Sequence, residues 1–259
     1  MMKRTVKCLV LGTVCCLLTA CHWNVKETRQ AQQPVDKKTA SVAAFERIML
    51  VGTPTIYYTQ GDTTSVIVEA PRDLMQDVEV SVADSCLTVK IKDNVKMVRH
   101  KLFSDDDDEV KVYVTSPDLI EATLSGSGDF KSNGPVDTDN LKIELKGSGD
   151  MDFKYIICDN ISITLVGSGD IELDHVKAQT AEMELVGSGD LKTKLEGVGR
   201  TDIVLKGSGD VKVENTQGGT VTADLRGSGD ITLKGDVRQL NHTLTGSGDY
   251  HLEQLRVQK

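Results

Sequence analysis

LKGSGDMDF, residues 145–153, stands near the middle of a 259-residue chain, and its central tetrad keeps returning. GSGD begins at Gly126, Gly147, Gly167, Gly187, Gly207, Gly227 and Gly246, at intervals of 21, 20, 20, 20, 20 and 19 residues. A fixed period near twenty is the mark of a solenoid, in which each repeat is one coil stacked on the last. Four and two residues before each tetrad stand pairs such as Ile143/Leu145, Ile163/Leu165, Met183/Leu185 and, in the last repeat, His242/Leu244. Four and six residues after its first glycine stand Met151/Phe153, Ile171/Leu173, Leu191/Thr193, Val211/Val213 and Ile231/Leu233. Apolar residues two apart, with mostly polar ones such as Glu144, Lys192 and Lys212 around them, read as half-buried strands. Each repeat is therefore strand, GSGD, strand, with His242 assigned to an inward position as a hydrogen-bonded core histidine.

Short glycine-containing turns also close β-hairpins, which would give an antiparallel meander. Stacking demands coils of equal length, whereas hairpins tolerate variation. The near-constant register predicts an all-β chain folded as a parallel β-helix, a two-sheet solenoid of ~20-residue coils, right-handed by crossover chirality. Rungs spaced ~4.8 Å apart make its six intervals roughly 29 Å long.

At each bend the chain turns while its neighbours pass one rung above and below. Glycine reaches positive φ without a Cβ penalty and permits that approach, and the aspartate can accept hydrogen bonds from turn N–H groups. Stacking sets Asp129, Asp150, Asp170, Asp190, Asp210, Asp230 and Asp249 into one ladder of like charge. At an effective dielectric near 20, neighbours repel by about 3 kcal/mol before relaxation and screening. Hydrogen bonding and nearby Lys146, Lys206 and Arg226 offset this in one reading, in which no cofactor is needed. Calcium bound along the ladder does so in the other. Calcium-loaded β-rolls, however, repeat every nine residues and supply oxygens from both bends. Here only one bend carries the tetrad; the opposite one varies through YIICDN, HVKAQT, EGVGRT and NTQGGT.

Outward from the repeats, four regions follow. Residues 1–20 read as a lipoprotein signal peptide: Lys3, Arg4 and Lys7 precede the apolar run CLVLGTVCCLL (8–18), too short for a spanning helix of about twenty residues. The run ends in Leu18-Thr19-Ala20-Cys21, which resembles a bacterial lipobox and makes Cys21 the expected lipid attachment. Residues 21–42, polar and with Pro34, read as a flexible tether. Residues 43–124 form an N-terminal β-rich part, and 125–259 the GSGD-repeat helix with YHLEQLRVQK (250–259) as its C-terminal cap.

Removing residues 1–20 takes away three of the 30 basic residues and none of the 39 acidic ones, leaving a net charge of −12. Such a surface excludes nucleic acid as a partner. With three cysteines in the apolar run and Cys21 lipidated, Cys86 and Cys158 remain. They are too few for a zinc set, and whether they pair is left open.

Three further stretches, FERIMLVGTPTIYYTQGDTTSVIVEAP (45–71), VKVYVTSPDLIEATLSGSGD (110–129) and the later repeats, join the lipobox in a resemblance. The chain is similar to the auto-transporter adhesin head family of the GIN type, found in lipoproteins and secreted proteins of Bacteroidetes. The resemblance covers nearly all of 45–253. It implies a two-sheet β-helix of pectin-lyase shape with GSG bends, a role in cell adhesion, and self-association as a trimer. Gly52-Thr53-Pro54 is the positional match to the family's Gly-Ile-Asn. Trimeric autotransporters carry a C-terminal membrane barrel; no such segment is read here, so anchoring is expected from lipid on Cys21.

Solenoids of this shape often cleave polysaccharides, which needs clustered carboxylates. Asp152 and Glu172 are expected to stack outward on adjacent rungs, and read as solvated surface acids. DDDDE (105–109) reads as a charged loop. His22, His100, His175, His242 and His251 show no metal-ligand spacing and no partner nucleophile. Aromatic saccharide platforms are scarce, at 4% aromatic residues. The expectation is a lipid-anchored, non-enzymatic adhesin-like module of the outer membrane, contacting a host or cell-surface glycan or protein. The alternative is a periplasm-facing structural or envelope-maintenance lipoprotein, and a pectin-lyase-like enzyme is the third reading.

Overall fold

The computed structural model describes residues 34–92 and 109–258. The N-terminal part contains β1 (Val35–Ala40), β2 (Arg47–Gly52), β3 (Thr55–Gln60), β4 (Ser65–Pro71), β5 (Val78–Ala83), β6 (Cys86–Ile91) and β7 (Lys111–Ser116). The repeats supply β8 (Glu121–Gly126), β9 (Asp129–Asp137), β10 (Asn140–Gly147), β11 (Asp150–Ile157), β12 (Asn160–Gly167) and β13 (Ile171–Lys177). They continue through β14 (Thr180–Gly187), β15 (Leu191–Glu196), β16 (Arg200–Gly207), β17 (Val211–Gly227), β18 (Ile231–Gly246), β19 (Tyr250–His251) and β20 (Leu255–Val257).

GSGD does not close hairpins. β10 pairs in parallel with β12 over eight residues, Asn140↔Asn160 to Gly147↔Gly167, and the same twenty-residue offset relates β12 to β14 and β14 to β16. Strands before each tetrad form one sheet, β5–β6–β2–β8–β10–β12–β14–β16, completed by the C-terminal halves of β17 and β18. Strands after it form the second, β1–β4–β7–β3–β9–β11–β13–β15, completed by the N-terminal halves of β17 and β18 and then by β19 and β20. The result is the two-sheet parallel solenoid that equal coil lengths require.

The inward positions form one core. Leu145, Leu165, Leu185, Leu205 and Leu225 are fully buried along the first sheet, and Ile171, Leu191, Val211 and Ile231 face them from the second. Each such side chain contributes about 1.5–3 kcal/mol by leaving water. Tyr58, Phe130 and Phe153 stack inside the first coils, with centroids 6.2 and 5.3 Å apart. Burial pushes the Tyr58 phenol up to about 12, and its oxygen lies 3.1 Å from Ser116 Oγ.

The N-terminal part departs from chain order. β2 and β3 pair on one side with β8 and β9, and on the other with β6 and β7. The coil made by β6 and β7, later in sequence, is stacked outside the coil made by β2 and β3. Antiparallel β4, β5 and β1 then close that end, over buried Phe45, Ala70 and Leu74.

Two expectations are corrected. Val35–Ala40, read within the tether, is a strand paired with β4 from Val35↔Pro71 to Ala40↔Val66. It shows no hydrophobic alternation because it is an edge strand, open on both faces apart from Ala40 and Asp36; charges at Asp36, Lys37 and Lys38 suit such a position. His242 holds the inward register, opposite Ala223, yet it is exposed because no further coil among the described residues covers it. The expected cap is a partial one. β19 and β20 cover only the second sheet, while the Tyr250 hydroxyl reaches across the open end, its one proton shared between the carbonyls of Ala223 (3.0 Å) and Thr243 (2.8 Å).

Candidate functional site

The repeated bend is the most regular chemical feature of the molecule. The first glycines of the seven tetrads have φ between +137° and +148°, a conformation that penalises any Cβ. A Cβ at Gly167 would also lie 2.0 Å from the carbonyl oxygen of Gly147 on the preceding coil, and one at Gly169 would lie 1.9 Å from that of Gly149. The first-glycine carbonyls from Gly126 to Gly227 each accept two bonds from the next coil: Gly147 O receives Ser168 N at 2.9 Å and Gly169 N at 3.2 Å. The stack begins at Gly52-Thr53-Pro54, where Gly52 O receives Ser127 N and Gly128 N, both at 2.9 Å.

The aspartates cap the next coil, where capping within their own turn was expected. Asp150 Oδ1 accepts the Asp170 amide at 3.0 Å, and Asp170 Oδ1 that of Asp190 at 2.9 Å. The chain of bonds continues through Asp210, Asp230 and Asp249 at 3.1, 3.2 and 2.9 Å. Asp129 is the exception: it pairs with Lys131 at 3.0 Å, and the Asp150 amide reaches Gly128 O. The Asp249 amide, with His251 Nε2 at 3.1 Å, holds the Asp230 carboxyl below the ordinary aspartate range. The same contact with Asp230 raises the His251 imidazole. Lys212 lies 3.2 Å from Asp210 and 3.7 Å from Asp190. Like charges are thus carried by amide donors and cations already in the protein. Among the described residues no three His, Cys, Asp or Glu side chains converge on a point that could hold a metal ion.

The outer faces are flat and charge-paired. Asp152 and Glu172 do stand opposite each other on adjacent rungs of β11 and β13. Burial raises the Asp152 carboxyl, while Glu172 is bound to Lys192 at 2.6 Å. Neither lines the polar hollow of about 300 Å³ between Thr232, Lys234, His251 and Glu253. On the other sheet Lys142 bridges Glu121 and Glu144 at 2.8 and 3.0 Å, and Lys206 reaches Glu184 at 2.7 Å.

One outward feature escaped the sequence reading. Tyr57 and Tyr113, on β3 and β7, stack with centroids 5.3 Å apart on the outer face of the second sheet, with Lys37 Nζ 6.0 Å from the Tyr113 ring. The two are 56 positions apart in sequence and meet only because the coils stack out of chain order.

Cys21, His22, His100 and Asp105–Asp108 lie outside the described residues. Glu109 accepts a hydrogen bond from the Thr55 hydroxyl. His175 packs against Tyr155 at 6.1 Å, and His242 against Tyr250 at 4.9 Å. Cys86 and Cys158 are both free, and burial pushes the Cys158 thiol up to about 11.

Comparison with known proteins agrees with this architecture. The family model described as "Putative auto-transporter adhesin, head GIN domain" matches residues 44–218 and again 194–259. A "putative adhesin" from Bacteroides fragilis superposes with a TM-score of 0.72 at 25% identity, over 84% of this chain and 96% of that one. A second "putative adhesin", from Parabacteroides distasonis, gives 0.69 at 21% identity, over 85% and 97%. A "putative lipid binding protein" from the same organism gives 0.64 at 18%, over 84% and 96%. The last two likenesses show the fold alone. No protein of curated function matches the sequence.

Proposed function

The chain belongs to the auto-transporter adhesin head family of the GIN type, and from that premise we propose that it is a non-catalytic, adhesin-like binding module of the cell envelope. Lipid on Cys21 holds it to the outer membrane, and its faces contact a glycan or protein on a host or neighbouring surface.

What carries the reading is the family match together with the shape of the described part. A stack of coils locked by bend hydrogen bonds is a rigid spacer with two long, flat, charge-paired faces. Flat faces suit contact with a surface; enclosed substrate chemistry instead needs a cleft in which a nucleophile, a base and a stabilising group converge. The acidic pair Asp152 and Glu172 lies on such a face, away from the polar hollow at Thr232, Lys234, His251 and Glu253.

Protease shaving of intact cells that express the tagged chain tests this. Digestion while a periplasmic control survives is the expected result. Survival until the outer membrane is broken overturns the adhesin reading and leaves a periplasm-facing, envelope-maintenance role. In the same cells Cys21→Ala is expected to release the protein from the membrane fraction.

A further inference from the structure

The two ends of the solenoid are finished differently. At the N-terminal end the last strands carry charges: Asp36, Lys37 and Lys38 on β1, and Glu79 on β5, paired with Lys90 at 2.9 Å. At the C-terminal end the second sheet closes with β20 and its Arg256–Asp236 pair at 2.7 Å. The first sheet closes with Gln239–Gly246, QLNHTLTG, which holds no aspartate, glutamate, lysine or arginine. The equivalent stretch one coil earlier carries Asp224 and Arg226, and the one before that Asp202 and Lys206.

Proteins blunt open strand edges with charge because an unpaired row of N–H and C=O groups templates further pairing. This edge lacks that protection. Among the described residues no strand pairs with 239–246 beyond β17, and every residue from Asn241 to Ser247 is exposed. Leu244 is 48% exposed although it continues a ladder whose members are fully buried. Its sheet has an apolar inner row that runs out into solvent.

We infer that this edge is a self-association surface, at which Gln239–Gly246 pairs antiparallel with the same strand of a second copy and extends the first sheet through a two-fold axis. The occupant follows from the chemistry of the edge. A strand without charges meets its own copy with no like-charge pair across the ladder in any register. A two-fold axis also sets inward positions opposite inward positions, so Leu244 and His242 of the two copies shield one another. One strand pair buries less than a permanent interface requires, so the dimer is weak and concentration-dependent. It is independent of whatever the outer faces bind.

Sedimentation of the soluble protein from low micromolar to near-millimolar concentration tests the inference, together with hydrogen exchange at both extremes. The expected result is a monomer–dimer equilibrium with amides of 239–246 gaining protection at high concentration. Leu244→Lys, at an exposed site, should keep the melting midpoint and abolish the dimer. Thr222→Lys, on the exposed outer face of the preceding strand, should leave it intact. A monomer at every concentration, a trimer, or a dimer that survives Leu244→Lys would overturn the inference.

Discussion

The two bends of each coil do the same mechanical job with different residues. At both, one carbonyl accepts two amides from the next coil. Gly147 O takes Ser168 N and Gly169 N at 2.9 and 3.2 Å, and Asp159 O takes Gln179 N and Thr180 N at 2.9 and 3.1 Å. Yet the first bend is GSGD seven times, while the second is Asp139-Asn140, Asp159-Asn160, Gln179-Thr180 and Gly199-Arg200. The hydrogen bond cannot explain that contrast; the backbone can. The first bend passes through φ near +140° with the preceding carbonyl pressed against the Cα, whereas Asp139, Asp159 and Gln179 do not enter the positive-φ region. A side chain is therefore free to vary at these positions of the second corner and is forbidden at the glycines of the first, although Gly219 and Gly235 of the last coils meet a preceding carbonyl in the same way. The uniformity of the tetrad's two glycines is a packing requirement.

Alanine substitutions should break this comparison most strongly. At Gly167 the positive φ costs about 1–2 kcal/mol, and displacing the Gly147 carbonyl from a Cβ 2.0 Å away adds to it. The expected loss is ~3 kcal/mol or more in denaturant melts. Gly197, at a second bend, has φ +68° and nothing within 4 Å of its Cβ, so alanine there should cost only about 1–2 kcal/mol. Gly134 has neither constraint, and alanine should be neutral or stabilise by up to ~1 kcal/mol. Equal losses at Gly167 and Gly197 would mean that backbone angle alone, and not stacking, dictates the tetrad.

Asp170 sharpens the comparison at smaller scale. Its Oδ1 accepts the Asp190 amide at 2.9 Å. Asp170→Ala leaves that amide to water and should destabilise by about 1 kcal/mol. Asp170→Asn keeps an acceptor and removes one charge from the ladder, and should fall within ~0.5 kcal/mol of the parent. If both variants lose the same amount, the carboxylate charge matters more than the hydrogen bond.

The repeat made most of this legible in advance. Twenty-residue spacing and apolar pairs such as Ile163/Leu165 gave the parallel stack and the inward ladder, since both are properties of one coil repeated. What stayed hidden were contacts that the period does not encode. The aspartate bond spans twenty residues, so a local reading assigned it to its own turn. The stacking of β6 and β7 outside β2 and β3 leaves no trace in strand order, and with it the Tyr57–Tyr113 pair went unseen. Val35–Ala40 is open on most of both faces and so lacks alternation. His242 has the right register and the wrong burial, because a repeat predicts a next coil and none of the described residues supplies one there.

The smallest expected effect is that of calcium. A cation on the ladder would need several oxygens at 2.3–2.6 Å, drawn from carboxylates on successive rungs about 4.8 Å apart. From Asp150 to Asp230 one oxygen of each carboxylate is already held by an amide of the next coil. Binding would have to break bonds that the coils use to stay in register, or make do with the remaining Oδ2 atoms, of which that of Asp210 faces Lys212 at 3.2 Å and that of Asp230 faces His251 at 3.1 Å. Thermal melts in millimolar calcium and in chelator should therefore share one midpoint. A rise with calcium would make the tetrad a ligand as well as a corner, and Asp170→Asn would then have to abolish that rise while leaving the chelated midpoint unchanged.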